Sequence, residues 1–356
     1  MTSKNFYNKP VGVIGAGSFG SAIANILAKN TEVMLYARNP QITKDLSETG
    51  LLHGVVMHPR ISLTNDLQQV VEQCDVLFPI VPSENFPGLV DDLSPYLKPY
   101  HFLIHGTKGL NVSKKDWKKD ESIKIDKEDV YTMSRLIRER TLAVRIGCLA
   151  GPNLAKELAD NQPAATVVAS HFDEVITEGQ RLLRNDRFQV YGSKDLLGIE
   201  LTGVLKNIIA IAAGALSGMG YGDNARSLLI SRGMIEMIYL GQMLGANTQA
   251  FLGLAGIGDL IATCSSKLSR NFTVGERLGK GEKLPDILAS MEETAEGINT
   301  IKIIIRLMKG YQLRAPITES LDKVISGEMT IEEALRFLMK SPLTSILILC
   351  ELSSSL

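Results

Sequence analysis

Short apolar runs alternate with longer helical patterns through the first half of the chain, and beyond about residue 195 only the helical patterns continue. Residues 11–14 (Val-Gly-Val-Ile) are apolar without a break, as in a strand covered on both faces. A glycine turn follows, and residues 18–28 then carry small apolar side chains at helical spacing. Residues 33–36, 75–81 and 101–105 predict further strands, each ending in a loop with polar residues or glycine, with Pro79 interrupting the second of them. After Val144 the strand–helix rhythm returns briefly. This alternation predicts an α/β, Rossmann-type doubly wound sheet over 1–192. The later patterns, over 196–217, 228–244, 301–308 and 331–339, predict an all-α C-terminal domain over 193–356. Thr330 followed by Glu333 has the spacing of a capping box, and Pro316 suits a first helical turn.

One segment breaks the rhythm. Residues 111–140 crowd Lys114, Lys115, Lys118, Lys119, Asp120 and Glu121 around Trp117, which predicts a solvated helix or surface insertion. Acidic residues among the lysines argue against a nucleic-acid surface there.

A length of 356 residues fits two domains, and a formal charge of −1 removes any whole-chain case for a nucleic-acid or membrane-surface partner. Residues 1–10 lack the apolar core of a secretion signal, and the apolar stretch 208–216 is too short to span a bilayer. Cys74, Cys148, Cys264 and Cys350 are scattered with no C-x-x-C pair, which speaks against a disulfide framework or a structural metal site. The expectation is a soluble cytoplasmic protein.

The chemistry begins at Gly15-x-Gly17-x-x-Gly20, placed after a strand and at the opening of a helix. Gly15 permits the tight turn, Gly17 lets backbone approach a pyrophosphate, and Gly20 lets helix and sheet pack closely. The helix N-terminus then attracts the phosphates. After the second strand stands Tyr36-Ala37-Arg38-Asn39, with no carboxylate for a ribose hydroxyl. Arg38 suits a 2′-phosphate or is an ordinary surface arginine, so both NAD and NADP are admitted. Val81-Pro82-Ser83 and Gly106-Thr107-Lys108-Gly109 occupy strand ends where such a sheet presents ligands, and Gly151-Pro152-Asn153 precedes another helix start at Ala155. Lys206, within an apolar helix, either snorkels to solvent or sits in a desolvated cleft where its pKa falls toward neutrality. Ser269-Arg270-Asn271 offers a charged fork with neutral donors, a grip for phosphate. Cys264 has no histidine near it in sequence and is read as a packing residue.

In order along the chain, these fragments together with Gly222-Asp223-Asn224-Ala225-Arg226, Gly258-Asp259-Leu260 and Glu296-Gly297 resemble the NAD(P)-dependent glycerol-3-phosphate dehydrogenases of prokaryotic type. The resemblance implies that Lys206 is the catalytic lysine and that Lys108 meets both substrate and cofactor. It implies cofactor contacts at Gly15, Gly17, Ser18, Phe19, Gly20, Arg38, Ala155, Arg270, Thr294 and Glu296. It places Gly151, Asn153, Asp259, Ser269, Arg270 and Asn271 with the substrate. It also implies a homodimer and a role in supplying glycerol 3-phosphate for phospholipid synthesis. Three departures stand out: Asn111 where the family often has glutamate, Asn153 where many members carry a hydroxyl, and the long charged segment.

The expected reaction interconverts dihydroxyacetone phosphate and sn-glycerol 3-phosphate, with Lys206 protonating the oxygen as hydride reaches carbon and Arg270 holding the phosphate. The substrate is expected in the cleft between the domains. Two rivals share parts of this pattern. A dehydrogenase of unphosphorylated hydroxy acids would also use an arginine, and a nucleotide sensor would need the glycine turn but not Lys108, Lys206 and Arg270.

Overall fold

The computed structural model describes residues 9–291 and 295–340. It divides into two compact units, one taking the chain through Thr107 together with Met133–Leu196, the other Lys108–Thr132 and the chain from Leu197 onward.

The first unit is built on an eight-stranded sheet: β1 Val11–Ile14, β2 Val33–Tyr36, β3 Ile61–Thr64, β4 Val76–Pro79, β5 Phe102–His105, β6 Arg145–Ala150, β7 Ala164–Ser170 and β8 Phe188–Ser193. Their order across the sheet is β8-β7-β6-β5-β4-β1-β2-β3. All neighbours run parallel except β6 and β7, so the doubly wound sheet carries one antiparallel step. β1, β4 and β5 are buried along their whole length, which explains why they read as unbroken apolar runs rather than as alternating ones. The chain leaves β1 toward β2 and returns to β4 on the other flank of β1. That reversal is the switch point where open sheets of this kind bind ligands, and the turn at Gly15 follows β1 there. The expected strand over 75–81 ends at Pro79, because proline has no N–H to extend the ladder. Its continuation is a single bond from Ile80 N to Ile14 O, 2.8 Å. A short hairpin, Leu51–Leu52 with Val55–Val56, was not signalled by any alternating pattern.

The second unit is helical. Its longest element, Leu196–Gly218, is apolar and long enough by composition to cross a membrane, yet 94% of its most apolar window is buried inside the protein. It is therefore a core helix, and it matches the helical pattern expected over 196–217. The helix Arg270–Gly279 lies against it at van der Waals distance of the two backbones. A Cβ on Gly214 would stand 2.0 Å from Phe272 O, and one on Gly275 would stand 1.9 Å from Ile211 O. Glycines on both helices thus let Lys206 and Arg270 share one rigid pair of elements. Glu236, buried on the helix Asp223–Met243, accepts from Ile317 N (2.8 Å), Thr318 N (2.9 Å) and the Thr318 hydroxyl (2.6 Å), capping the helix Pro316–Ser326 from a distance. Burial raises the pKa of this carboxyl against the lowering by those donors. The capping box at Thr330 and Glu333 forms as its spacing predicts, with Thr330 N donating to Glu333 at 2.8 Å and Glu333 N to the Thr330 hydroxyl at 3.2 Å.

Of the two readings of the charged segment, helix or surface insertion, most of it takes the second: Asn111–Val112 pairs with Val130–Tyr131, a 3-10 turn spans Lys127–Asp129, and its α-helix is Met133–Arg140. Lys108–Thr132 groups with the helical unit. Burial of Trp117 and Ile125 fastens it there, with Arg306 donating to the carbonyls of Asp120 (2.6 Å) and Ile123 (3.0 Å). The lysines at 115, 118 and 119 remain solvated, the part of the reading that charge alone determined.

Candidate active site

The glycine turn has the shape of a phosphate cradle. Gly15 takes φ +121°, outside the range of L side chains, and a Cβ there would collide with Ile80 O at 2.0 Å. A Cβ on Gly20 would meet Gly15 O at 1.9 Å, so helix Ser18–Ala28 starts directly on the turn. Gly17 differs: a Cβ there would meet nothing within 4 Å. The chain's own packing does not require glycine at 17, whereas a pyrophosphate approaching the backbone does. With no acidic residue in the first helical turn, the positive helix end is left for an anion, and the residues fit a dinucleotide. Phe19 packs against Gly106 at the end of β5, and Arg38 is exposed just beyond β2.

Elsewhere in the first unit, Gly151 takes φ +152° at the end of β6. Asn153 donates to Ala165 O (3.0 Å) and accepts from the Thr166 hydroxyl (2.8 Å), so its side chain ties this turn to β7. Ala155 opens the short helix Ala155–Ala159.

In the second unit, four side chains distant in sequence converge. Lys206, 4% exposed, donates to Asp259 Oδ1 at 2.9 Å and to the Thr263 hydroxyl. Lys108 donates to the other carboxylate oxygen of Asp259 at 2.8 Å. The Thr263 hydroxyl donates its own proton to Asp259 O (2.6 Å), which leaves its oxygen to accept from Lys206. Asp259 stands at the exit of a π-helical turn, Leu254–Gly258, an irregularity common at functional sites. Thr263 follows four residues later on the same helical face.

The electrostatics follow from burial. Burial pulls Lys206 down to about 8; Asp259 opposes the fall and the nearby Lys108 adds to it. Burial works against the ionised Asp259 as well, but Lys108 and Lys206 together hold its carboxyl below the usual range. Lys206 is buried and held on Asp259, which removes the snorkelling alternative. Cys264, beside them on the same helix, is pushed up to about 12 by burial and stays a thiol, as a packing residue should.

Ser269 caps the helix Arg270–Gly279, accepting from Phe272 N at 3.3 Å, and Arg270 is exposed at its first position. Asn271 turns its carbonyl inward to accept from Gly297 N (2.9 Å), one residue beyond Glu296. Thr294 lies outside the described residues. An apolar cavity of about 370 Å³ in the same unit, lined by residues such as Leu228, Leu321 and Leu335, contains none of these side chains.

Two family models match in succession: the N-terminus of NAD-dependent glycerol-3-phosphate dehydrogenase over residues 10–176 and its C-terminus over 195–336. The chain belongs to this family. It is 39% identical to the glycerol-3-phosphate dehydrogenase [NAD(P)+] of Syntrophobacter fumaroxidans, covering 94% of this chain and 96% of that one. The enzyme of the same name from Pseudomonas aeruginosa is 38% identical, with 93% and 94% covered. The crystal structure of glycerol-3-phosphate dehydrogenase from Coxiella burnetii superposes with a TM-score of 0.84 at 28% identity, covering 94% of this chain and 99% of that one.

As a member of this dehydrogenase family, the chain takes NAD or NADP as cofactor. Thr263 was not singled out in the sequence, although its i, i+4 spacing from Asp259 signals a shared face.

Proposed function

We propose that this chain interconverts dihydroxyacetone phosphate and sn-glycerol 3-phosphate with NAD(P)H, supplying the glycerol backbone for phospholipids. The observation that carries the reading is Lys206, a buried ammonium held on Asp259 and Thr263 with Lys108 on the same carboxylate. The family's relatives bear the name of this activity.

Gly15, Gly17, Gly20, Ser18 and Phe19 hold the dinucleotide, with Arg38, Lys108, Ala155, Arg270, Thr294 and Glu296 contributing further contacts. When bound, the nicotinamide supplies hydride in one direction and accepts it in the other. Arg270, at a helix N-terminus beside Ser269 and Asn271, binds the substrate phosphate. Gly151 and Asn153 shape the substrate's surroundings, Asn153 through the turn it fastens. Lys206 donates a proton from Nζ to the ketone oxygen as that oxygen gains charge, and takes the proton back from the alcohol in reverse. Asp259 keeps the ammonium charged in its dry surroundings, and Lys108 balances the excess carboxylate. The protein acts as a homodimer in the cytoplasm: Leu252, Ile257, Ile261 and Leu268 are exposed apolar side chains on one stretch, and Cys74 and Cys264 are free thiols.

Oxidation of NADPH and of NADH should be followed with dihydroxyacetone phosphate, unphosphorylated dihydroxyacetone and a 2-keto acid. Turnover confined to the phosphorylated ketone supports the reading. Comparable turnover of the unphosphorylated ketone or the keto acid defeats it.

A further inference from the structure

The hairpin that no sequence pattern announced places one side chain on the nucleotide turn. His53 Nε2 lies 2.8 Å from the carbonyl oxygen of Ala16, inside Gly15-Ala16-Gly17. A carbonyl only accepts, so Nε2 carries the proton and donates. The hairpin is fastened to the helix that the turn opens: Asn25 Nδ2 donates to Val56 O at 3.1 Å, and His58 N donates to Asn25 Oδ1 at 2.9 Å.

His53 occupies this place against local preference. Its φ is +52° and that of Gly54 is +75°, the paired left-handed conformation of a tight hairpin. Asparagine-glycine is the usual choice there, and a larger side chain at the first position is less favoured. Its hydrogen bond reaches 37 residues away, to the phosphate turn. A strained residue whose one long-range bond lands on a ligand-binding turn points to the turn as its purpose.

We propose that His53 is a positioning residue for the nicotinamide nucleotide, a latch that fixes the plane of the Ala16–Gly17 peptide. The carbonyl of Ala16 and the N–H of Gly17 belong to one planar trans unit and point in opposite directions. Holding the carbonyl therefore sets the direction of an N–H at the helix start, beside the open space in front of Gly17. The inference rests on the dinucleotide reading of the glycine turn and adds to it a residue from a separate hairpin.

The test is fluorescence titration of NADPH and NADH, with thermal melting of the nucleotide-free protein, for wild type and three variants. His53→Leu removes the donor and weakens nucleotide binding about fivefold, the loss of one hydrogen bond of about 1 kcal/mol. The loss falls on nucleotide KM rather than on kcat at saturating nucleotide. His53→Gln places an amide N–H where Nε2 stood and restores affinity to within about twofold of wild type. His53→Asn relieves the turn and raises the melting temperature, but its side chain is too short to reach Ala16, so affinity stays as low as in His53→Leu. Wild-type affinity in His53→Leu or His53→Asn overturns the latch while leaving the dinucleotide reading intact. A wild-type protein that binds neither nucleotide overturns that reading and the latch with it.

Discussion

The nucleotide turn is made by one stretch, residues 15–20, and its shape follows from where three glycines fall between a strand and a helix. The lysine cluster is made the other way. Lys206 reaches Asp259 across 53 positions and Lys108 reaches it across 151, so nothing local determines the geometry. The turn works through backbone N–H groups that any folded version of the motif presents. The cluster works through burial, which lowers the pKa of Lys206 and which depends on the packing of the whole helical unit. Damage to the turn should therefore remain local, whereas damage to the packing around the cluster should spread.

The sharpest contrast is in turnover. Lys206→Ala should lower kcat for reduction of dihydroxyacetone phosphate roughly a thousandfold, the usual scale for removing a general acid. NADPH affinity, measured in parallel by titration, should change less than about twofold. A residual rate near a tenth of wild type would mean that the proton comes from elsewhere.

The next contrast is between two glycines. Gly214→Val drives side-chain atoms into Phe272 O, which already lies 2.0 Å from a Cβ position, and should cost about 3 kcal/mol in denaturant unfolding. Gly17→Ala adds its methyl to open space and should leave unfolding unchanged, while weakening nucleotide binding roughly tenfold, about 1.4 kcal/mol. A Gly17→Ala protein that unfolds early, or binds nucleotide as before, would erase the distinction between local and distributed construction.

Arg270→Met should show a smaller effect than Lys206→Ala or Gly214→Val. It raises KM for dihydroxyacetone phosphate about thirtyfold, consistent with about 2 kcal/mol for charge-assisted bonds to phosphate. Equal losses with unphosphorylated dihydroxyacetone would mean that Arg270 does not read the phosphate.

The same contrast explains what was legible in the sequence. Apolar runs located the strands at 11–14, 33–36 and 101–105 because buried parallel strands need hydrophobic residues on both faces, and the capping box was visible in Thr330 and Glu333 alone. The hairpin at 51–56 was not, since its strands are two residues long and too short to show a period. The grouping of 108–132 with the helical unit was hard to read because most of its charged residues face solvent, while the buried Trp117 and Ile125 are few. At the site, periodicity left Lys206 between solvent and cleft. Family resemblance favoured the cleft, and two hydrogen-bonding partners from another part of the chain, Asp259 and Thr263, now account for it. For Asn153 the motif gave no sign of the local bonds by which its side chain fastens a turn to β7.

The central claim is that Lys206 holds the exchangeable proton at a pKa set by burial. With the protonated lysine as the proposed donor in ketone reduction, activity should be full below its pKa and lost as pH rises through it. The deciding measurement is kcat/KM for dihydroxyacetone phosphate reduction from pH 6 to pH 10. It should break near pH 8 and then fall about tenfold per unit, and the break should move to lower pH in Asp259→Asn because the carboxylate helps retain the proton. A profile that stays level up to the ordinary lysine value of 10.5 would contradict the account.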